Sequence, residues 1–237
     1  MRMINYINKI IENKWVFRAL PYSILFNLYY LPIKQAIKIP ILVYKPKFSS
    51  LKGKIILDSK VVKFGMIKMG VKTCGLYPNT GITWENLGGK VIFKGKCLIG
   101  NSSYVSFGKK CTVTFGENFK NTAALKLASS EKIEFGSNVR IGWDCLIIDT
   151  NFHPLYDLVK KTYQPTKGPI KIGNFNWLGA KCTVLHSTIT PERCIFALGS
   201  IITKGSEIKS YSIMGGNPTH VLKTNVIRDY ENDNIEF

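Results

Sequence analysis

The clearest pattern in the chain lies between Ile170 and Lys223, where an apolar residue returns about every six positions. Ile172-Gly173 and Leu178-Gly179 set the step. Val184, Ile189 with Thr190, Phe196 and Ile202 continue it with small drifts. Such a step fits neither an α-helix nor a coiled-coil heptad, and simple alternation does not ask for glycine behind each apolar residue. It predicts a solenoid with three flat faces and a turn of about eighteen residues.

Side chains alternate along a strand, so the residue two before each aliphatic faces the same narrow interior and has to be small. Five of the six cysteines stand there. Cys97, Cys111, Cys145, Cys182 and Cys194 precede Ile99, Val113, Ile147, Val184 and Phe196, each by two. They are predicted to fill core, as small hydrophobes do. The glycine after each aliphatic is expected to turn the corner, because glycine accepts positive φ.

The repeat divides the chain. Residues 1–50 form a basic apolar arm. Ile4, Ile7, Ile10, Ile11 and Val16 predict an amphipathic helix up to Leu20, and Pro21 opens a new, aromatic segment. The charge-free run from Ala19 to Ile33 is shorter than the roughly 20 residues that span a bilayer, so no spanning helix is predicted. The solenoid is expected over 51–223. It starts raggedly at Phe64-Gly65 and Met69-Gly70, has looped corners from Thr73 to Gly89, sharpens from Val91, and makes an irregular turn from Asn118 to Ser130. Residues 151–169 carry no repeat. Insertions in a solenoid form loops on one face, often the binding face. Residues 224–237 are a polar, acidic tail, expected as a short helix or a frayed end.

Charge changes the picture of partners. Lys and Arg number 33 against 15 Asp and Glu, a net charge of +18, which points to an anionic partner. No helix-turn-helix, finger or RNP motif accompanies it, so nucleic acid is not expected. A membrane surface, an anionic glycan or coenzyme phosphates fit equally. There is no C-x-x-C and no Cys/His cluster, so neither a zinc site nor a disulfide framework is expected, and a reducing compartment is the simplest reading. The start of the chain lacks an apolar core and a small-residue cleavage site, so no signal peptide is predicted. A cytoplasmic location follows, with the arm lying peripherally on the inner face of the membrane or packed against protein.

Four blocks in order, DTNFHP, IGNFNWLGAKCTVL, ALGSIITK and GGNPTHVLK, resemble the hexapeptide-repeat acyltransferases over about residues 90–223. YPNTGITWENLGGKVIFKGKCLIGNSSYVSFGKK and IGWDCLIIDTNFHP are similar to the acyltransferases of capsule and exopolysaccharide biosynthesis. The resemblance implies an all-β solenoid, a left-handed parallel β-helix. It also implies acyl transfer, usually acetyl, from a coenzyme A thioester to a hydroxyl or amine; the expectation here is acetyl-CoA and a sugar hydroxyl, with no metal and no acyl-enzyme. His153 matches the family's catalytic histidine. A hydroxyl is a poor nucleophile at neutral pH, and an imidazole can take its proton as the oxygen attacks the thioester. Asp149, Asn151 and Asp157 are the nearby candidates to orient the ring, as is a backbone carbonyl.

By the same resemblance Trp177 flanks the cleft. Ala180, Leu198, Thr203 and Lys204 contact the pantetheine and phosphates, and Lys223 meets the 3′-phosphate. The family usually has a smaller residue where Leu198 stands, so Leu198 either narrows the groove or points away. Trp143 and Tyr163 could stack on the acceptor sugar. His186 and His220 lack such a context and are read as structural. The implied assembly is a homotrimer with sites between subunits, acting on a sugar or lipid-linked glycan. The rival readings are an acetyltransferase for an amino sugar, serine or a xenobiotic, a metal-dependent hydratase on the same coil, and a non-catalytic glycan-binding scaffold.

Overall fold

The computed structural model describes residues 14–232. Two helices, α1 (Lys14–Tyr30) and α2 (Ile33–Ala36), precede the strands. The first rung is β1 (Ile41–Val43), β2 (Pro46–Leu51) and β3 (Lys54–Leu57), and the second is β4 (Ile67–Val71), β5 (Ile82–Asn86) and β6 (Lys90–Phe93). The third is β7 (Cys97–Gly100), β8 (Ser103–Phe107) and β9 (Thr112–Phe115), and the fourth is β10 (Phe119–Asn121), β11 (Lys126–Ser129) and β12 (Lys132–Phe135). The fifth has β13 (Arg140–Ile141) and β14 (Leu146–Ile148). It then detours through a hairpin, β15 (Leu155–Asp157) and β16 (Thr162–Gln164), before β17 (Ile170–Ile172). The sixth is β18 (Trp177–Leu178), β19 (Thr183–Val184) and β20 (Ile189–Thr190). After it come β21 (Cys194–Phe196), β22 (Ile201–Ile202), β23 (Ser212–Gly216) and β24 (Thr219–Thr224).

The first strands of all rungs make sheet A, the second strands sheet B and the third strands sheet C. Within each sheet successive rungs pair in parallel, so the chain winds as a three-sided prism; among the described strands β23–β24 in sheet A and β15–β16 run antiparallel. In the last rungs the register Trp177↔Ile195↔Ile213 advances by eighteen residues per turn, as the hexad requires.

The core is a set of ladders, one residue per rung. Phe93, Phe115 and Phe135 stack with centroids 5.2 and 5.4 Å apart, and Phe119 packs edge-on to Phe115 at 4.9 Å. The five cysteines of the repeat are buried, as expected, and Cys74 is half-buried off the repeat. Burial pushes the Cys194 thiol up to about 12 and holds Cys97 well above the ordinary range. The neighbouring Cys182 and burial together push the Cys145 thiol up. Cys97, Cys145 and Cys194 act as space-filling, not as nucleophiles, whereas the hydrogen bond with Cys145 draws the Cys182 thiol below its ordinary range.

Gly65 and Gly70 take positive φ, 60 and 77, as expected, but Gly100, Gly136, Gly142, Gly173 and Gly179 do not. At most corners positive φ falls on other residues, among them Ala124, Asp144 and Lys181 between sheets A and B, and Asn118, Asn138 and Phe175 between sheets C and A. Gly100 is needed for space instead: a Cβ there would lie 1.8 Å from the carbonyl oxygen of Thr122 on the next rung. Rungs about 4.8 Å apart leave no room at that point.

Four boundaries also shift. The solenoid starts at Ile41, ten residues ahead of the expected limit, because β1 and β2 already pair with β4 and β5. Thr73–Gly89 is not all corner, since it contains β5 with Trp84 fully buried. Asn118–Ser130 holds β10 and β11 in register, and Phe64 is exposed, outside the core ladder. The described part of the tail is neither helical nor frayed. Tyr230 donates to the Phe175 carbonyl at 3.1 Å, and the Arg228 guanidinium lies 4.5 Å from the Trp177 ring.

The helical prediction holds in α1, but Pro21 does not end it. A proline removes one hydrogen bond to the residue four before it. Here that residue is Phe17, which is exposed and can bind water. The predicted helix ahead of residue 14 lies outside the described residues. On its buried face Asn27 donates to the Ile41 carbonyl at 2.7 Å and accepts from the Ile41 amide at 3.2 Å, while Ser23 Oγ accepts from the Val43 amide at 2.9 Å. These side chains satisfy the open edge of β1, which would otherwise be free to recruit another strand. Among the described residues no helix is long and apolar enough to cross a membrane.

Candidate active site

The insertion leaves the prism where sheet B hands over to sheet C. At its neck Gly168 N donates to the Asp149 carbonyl at 3.0 Å, Thr150 bridges Lys167, and Asn151 N donates to the Thr166 carbonyl at 2.7 Å. Beyond the neck, Leu155–Asp157 pairs with Thr162–Gln164, and Asp157 closes the turn by accepting from the Val159 and Lys160 amides at 3.0 and 2.9 Å. The insertion expected as a loop on one face therefore contains an antiparallel hairpin. Its apolar side chains are exposed, including Phe152, Leu155, Leu158, Val159 and Tyr163.

His153 sits between neck and hairpin, exposed, with its amide donating to the Asn151 carbonyl at 2.7 Å. Asn151 is exposed beside it. Asp149 is elsewhere in role. It is fully buried, and its carboxylate accepts from Ser129 Oγ at 2.7 Å, from Ser130 N at 2.6 Å and from Glu131 N at 3.0 Å. That carboxylate ties the fifth rung to the corner of the fourth, and is not turned to His153. Asp157 is likewise engaged by its own turn. Replacing Asp149 with alanine leaves buried donors unsatisfied and should cost about 1–3 kcal/mol of stability. Urea unfolding with turnover measured per folded molecule checks this; a loss of turnover with unchanged stability would return Asp149 to the reaction.

A second cluster lies on the edge between sheets A and B. Trp143, Ala180 and Leu198 occupy that edge on successive rungs, stitched by Lys181 N to the Trp143 carbonyl at 2.8 Å and Gly199 N to the Ala180 carbonyl at 2.9 Å. Ala180 is buried and Leu198 is 69% exposed, so Leu198 points away from the rungs. Gly199 has φ +75 and open space around its Cα. Lys181, missed in the sequence, adds an exposed cation to this edge, and Lys204 and Lys223 are exposed farther along the coil. Thr203 N donates to Ser206 Oγ at 3.2 Å in the turn that carries Lys204.

The edge is propped from below. The segment 72–81 runs along it over three rungs. Thr73 Oγ1 donates to the Thr122 carbonyl at 2.5 Å, Asn101 Nδ2 donates to the Pro78 carbonyl at 2.8 Å, and Tyr77 donates to Asp144 Oδ2 at 2.5 Å, beside Trp143. Burial and the Asp144 carboxylate push the Tyr77 hydroxyl up, so it stays a donor. Nothing in the local sequence of either residue announces a contact 67 positions apart.

The structure brings together Trp143, Ala180 and Leu198, and separates them from His153. Trp177 stands on the outer face of sheet A under Arg228. Tyr163 packs edge-on to Tyr156 at 5.1 Å in the hairpin. His186 contacts Ser187 Oγ at 3.2 Å, and His220 lies in β24. On one rung Lys181 and Ser187 mark the two edges of sheet B, six residues and so roughly 20 Å of extended chain apart. Within one chain, then, the histidine and the A–B corner lie on different edges of the prism.

No family model matches the chain. The galactoside O-acetyltransferase of Escherichia coli K12 is 26% identical over 120 residues, which is 51% of this chain and 57% of that protein. The polysialic acid O-acetyltransferase of Escherichia coli O1:K1 / APEC is 26% identical over 140 residues, 56% of this chain and 41% of the relative. The crystal structure of the polySia specific acetyltransferase NeuO superposes with a TM-score of 0.54 at 15% identity, covering 80% of this chain and 91% of that one. The chain is similar to hexapeptide-repeat O-acetyltransferases. This likeness and the strand order agree on an all-β solenoid, the left-handed β-helix. The chain spans about half the length of the curated relatives it matches.

Proposed function

We propose that the protein transfers an acetyl group from acetyl-CoA to a hydroxyl of a sugar in surface-polysaccharide biosynthesis. The observation that carries this reading is the placement of His153 on an exposed apolar hairpin, across sheet B from the corner of Trp143, Ala180 and Leu198. An apolar hairpin without a partner calls for a second surface. In a homotrimer it would lie against a neighbouring copy, and its histidine would reach that copy's A–B edge. The coenzyme would run along this edge, with the open space at Gly199 beside Ala180 taking the pantetheine and Lys204 and Lys223 facing the phosphates.

In the reaction His153 accepts the sugar hydroxyl proton as the oxygen attacks the thioester carbon. The carbon–sulfur bond then breaks, the imidazolium gives that proton to the sulfur, and the coenzyme leaves as the free thiol. No covalent enzyme intermediate is needed. The burial of the repeat cysteines in the core is in keeping with direct transfer. Exposed Phe17, Leu25, Leu28 and Tyr29 on α1 suit a peripheral seat on the inner face of the membrane, close to a lipid-linked acceptor.

Complementation tests the shared site. His153→Ala removes the base, and Ala180→Trp blocks the corner. Each alone should be nearly inactive on acetyl-CoA and a galactoside. Refolded as an equal mixture, a trimer with sites between copies should regain about a quarter of wild-type turnover, because one site in four pairs two intact halves. No recovery from mixed oligomers would place both halves in one chain and reject the arrangement.

A further inference from the structure

A broad groove lies on the outer face of sheet A over the second to fourth rungs. It has a volume of about 1200 Å³. Lys68 and Leu98 are on its floor, paired across β4 and β7. Lys60 and Lys63 rise from the segment before β4, and Lys94 and Lys96 from the segment before β7, one rung on. Trp15 of α1 stands at one side. Lys120 also lines the groove, and so do two carboxylates, Asp58 and Glu117, leaving a clear excess of positive charge. Lys60, Lys63, Lys94 and Lys96 are exposed and make no ion pair with a carboxylate among the described residues.

We propose that this groove holds a stretch of acidic polysaccharide, apart from the reaction centre. Three features favour that occupant. Lysines repeated on successive rungs, about 4.8 Å apart, suit a polymer whose charge recurs along its length better than a single phosphate. The site is concave, so an extended chain can enter where a flat bilayer cannot. Trp15 supplies an aromatic surface of the kind that packs on the apolar face of a sugar ring. The thirteen residues ahead of α1 carry Arg2, Lys9 and Glu12, and bring no surplus negative charge to fill it.

Binding the polymer here would hold many acceptor units near the catalytic edge at high effective concentration. That purpose rests on the acetyl-transfer reading; the binding itself does not. The test uses the full chain and measures its dissociation constant for polygalacturonate, with neutral dextran as control, between about 50 and about 200 mM salt. Polygalacturonate should bind, dextran should not, and affinity should fall steeply with salt. The variant Lys60→Ala/Lys63→Ala/Lys94→Ala/Lys96→Ala should bind about 100-fold more weakly with a shallower salt slope. The matching four-arginine variant should bind like wild type, which separates lost charge from lost fold. Acetyl transfer to a small neutral galactoside should be unchanged in both variants.

Equal binding by the alanine variant would overturn the proposal. So would binding to phosphatidylserine vesicles or single-stranded RNA that is tighter than to polygalacturonate and lost in the same variant. If polygalacturonate binds as expected but no acceptor is acetylated, the groove stands and the enzymatic reading falls.

Discussion

His153→Ala should lower the rate of acetyl transfer by about 10²- to 10⁴-fold, the usual contribution of a positioned general base. Coenzyme binding should be nearly unchanged, because the corner that would hold it lies across sheet B from the histidine. Stability should be unchanged too, since the side chain is exposed and the neck is closed by the main chain of Asp149, Thr150 and Asn151. Steady-state kinetics, with coenzyme affinity measured separately by calorimetry, decide the matter. Turnover retained within a few fold would remove His153 as the base. A loss confined to KM for the coenzyme would make it a binding residue instead.

Phe115→Ala should produce the largest loss of stability, about 3–5 kcal/mol. Its ring is fully buried, stacked between Phe93 and Phe135 and touched edge-on by Phe119. The stack links the second, third and fourth rungs, so the void would sit at a joint of the solenoid. Coils that touch only their neighbours carry stability through such joints. Unfolding in urea should therefore become broader as well as earlier, with the two halves melting apart. Phe152→Ala removes an equally large ring from the exposed neck and should change stability by less than about 0.5 kcal/mol. A loss below about 1 kcal/mol for Phe115→Ala would mean that the stack merely fills space its neighbours can close.

The hexad and the small residue two before each aliphatic were enough to place three sheets and a cysteine-filled core. These signals are local, and each rung repeats them. What was not legible depends on contacts between distant residues. Trp84 stands in a stretch full of turn residues, and only its neighbours Phe26 and Phe107 make it core. Pro21 reads as a breaker until Ser23 and Asn27 are seen holding β1 from the same helix. Gly100 was assigned to the wrong cause, because one strand does not reveal how closely the next one passes. Asp149 was close to His153 in sequence, yet its partners lie on the preceding rung. In the candidate site, the histidine and the corner residues could each be picked out from their motifs. Their separation by a whole sheet could not, because motif order carries no information about which edge a residue occupies.

The closed neck of the insertion has a consequence for how such proteins diversify. Gly168 returns to within a hydrogen bond of Asp149, the residue from which the hairpin departs. Everything between them is therefore a cassette grafted onto an unbroken spiral. Its length and side chains can be rewritten without moving a single stacked coil, so on the proposed reading new acceptor preferences arise by exchanging this module while the A–B ridge is inherited intact.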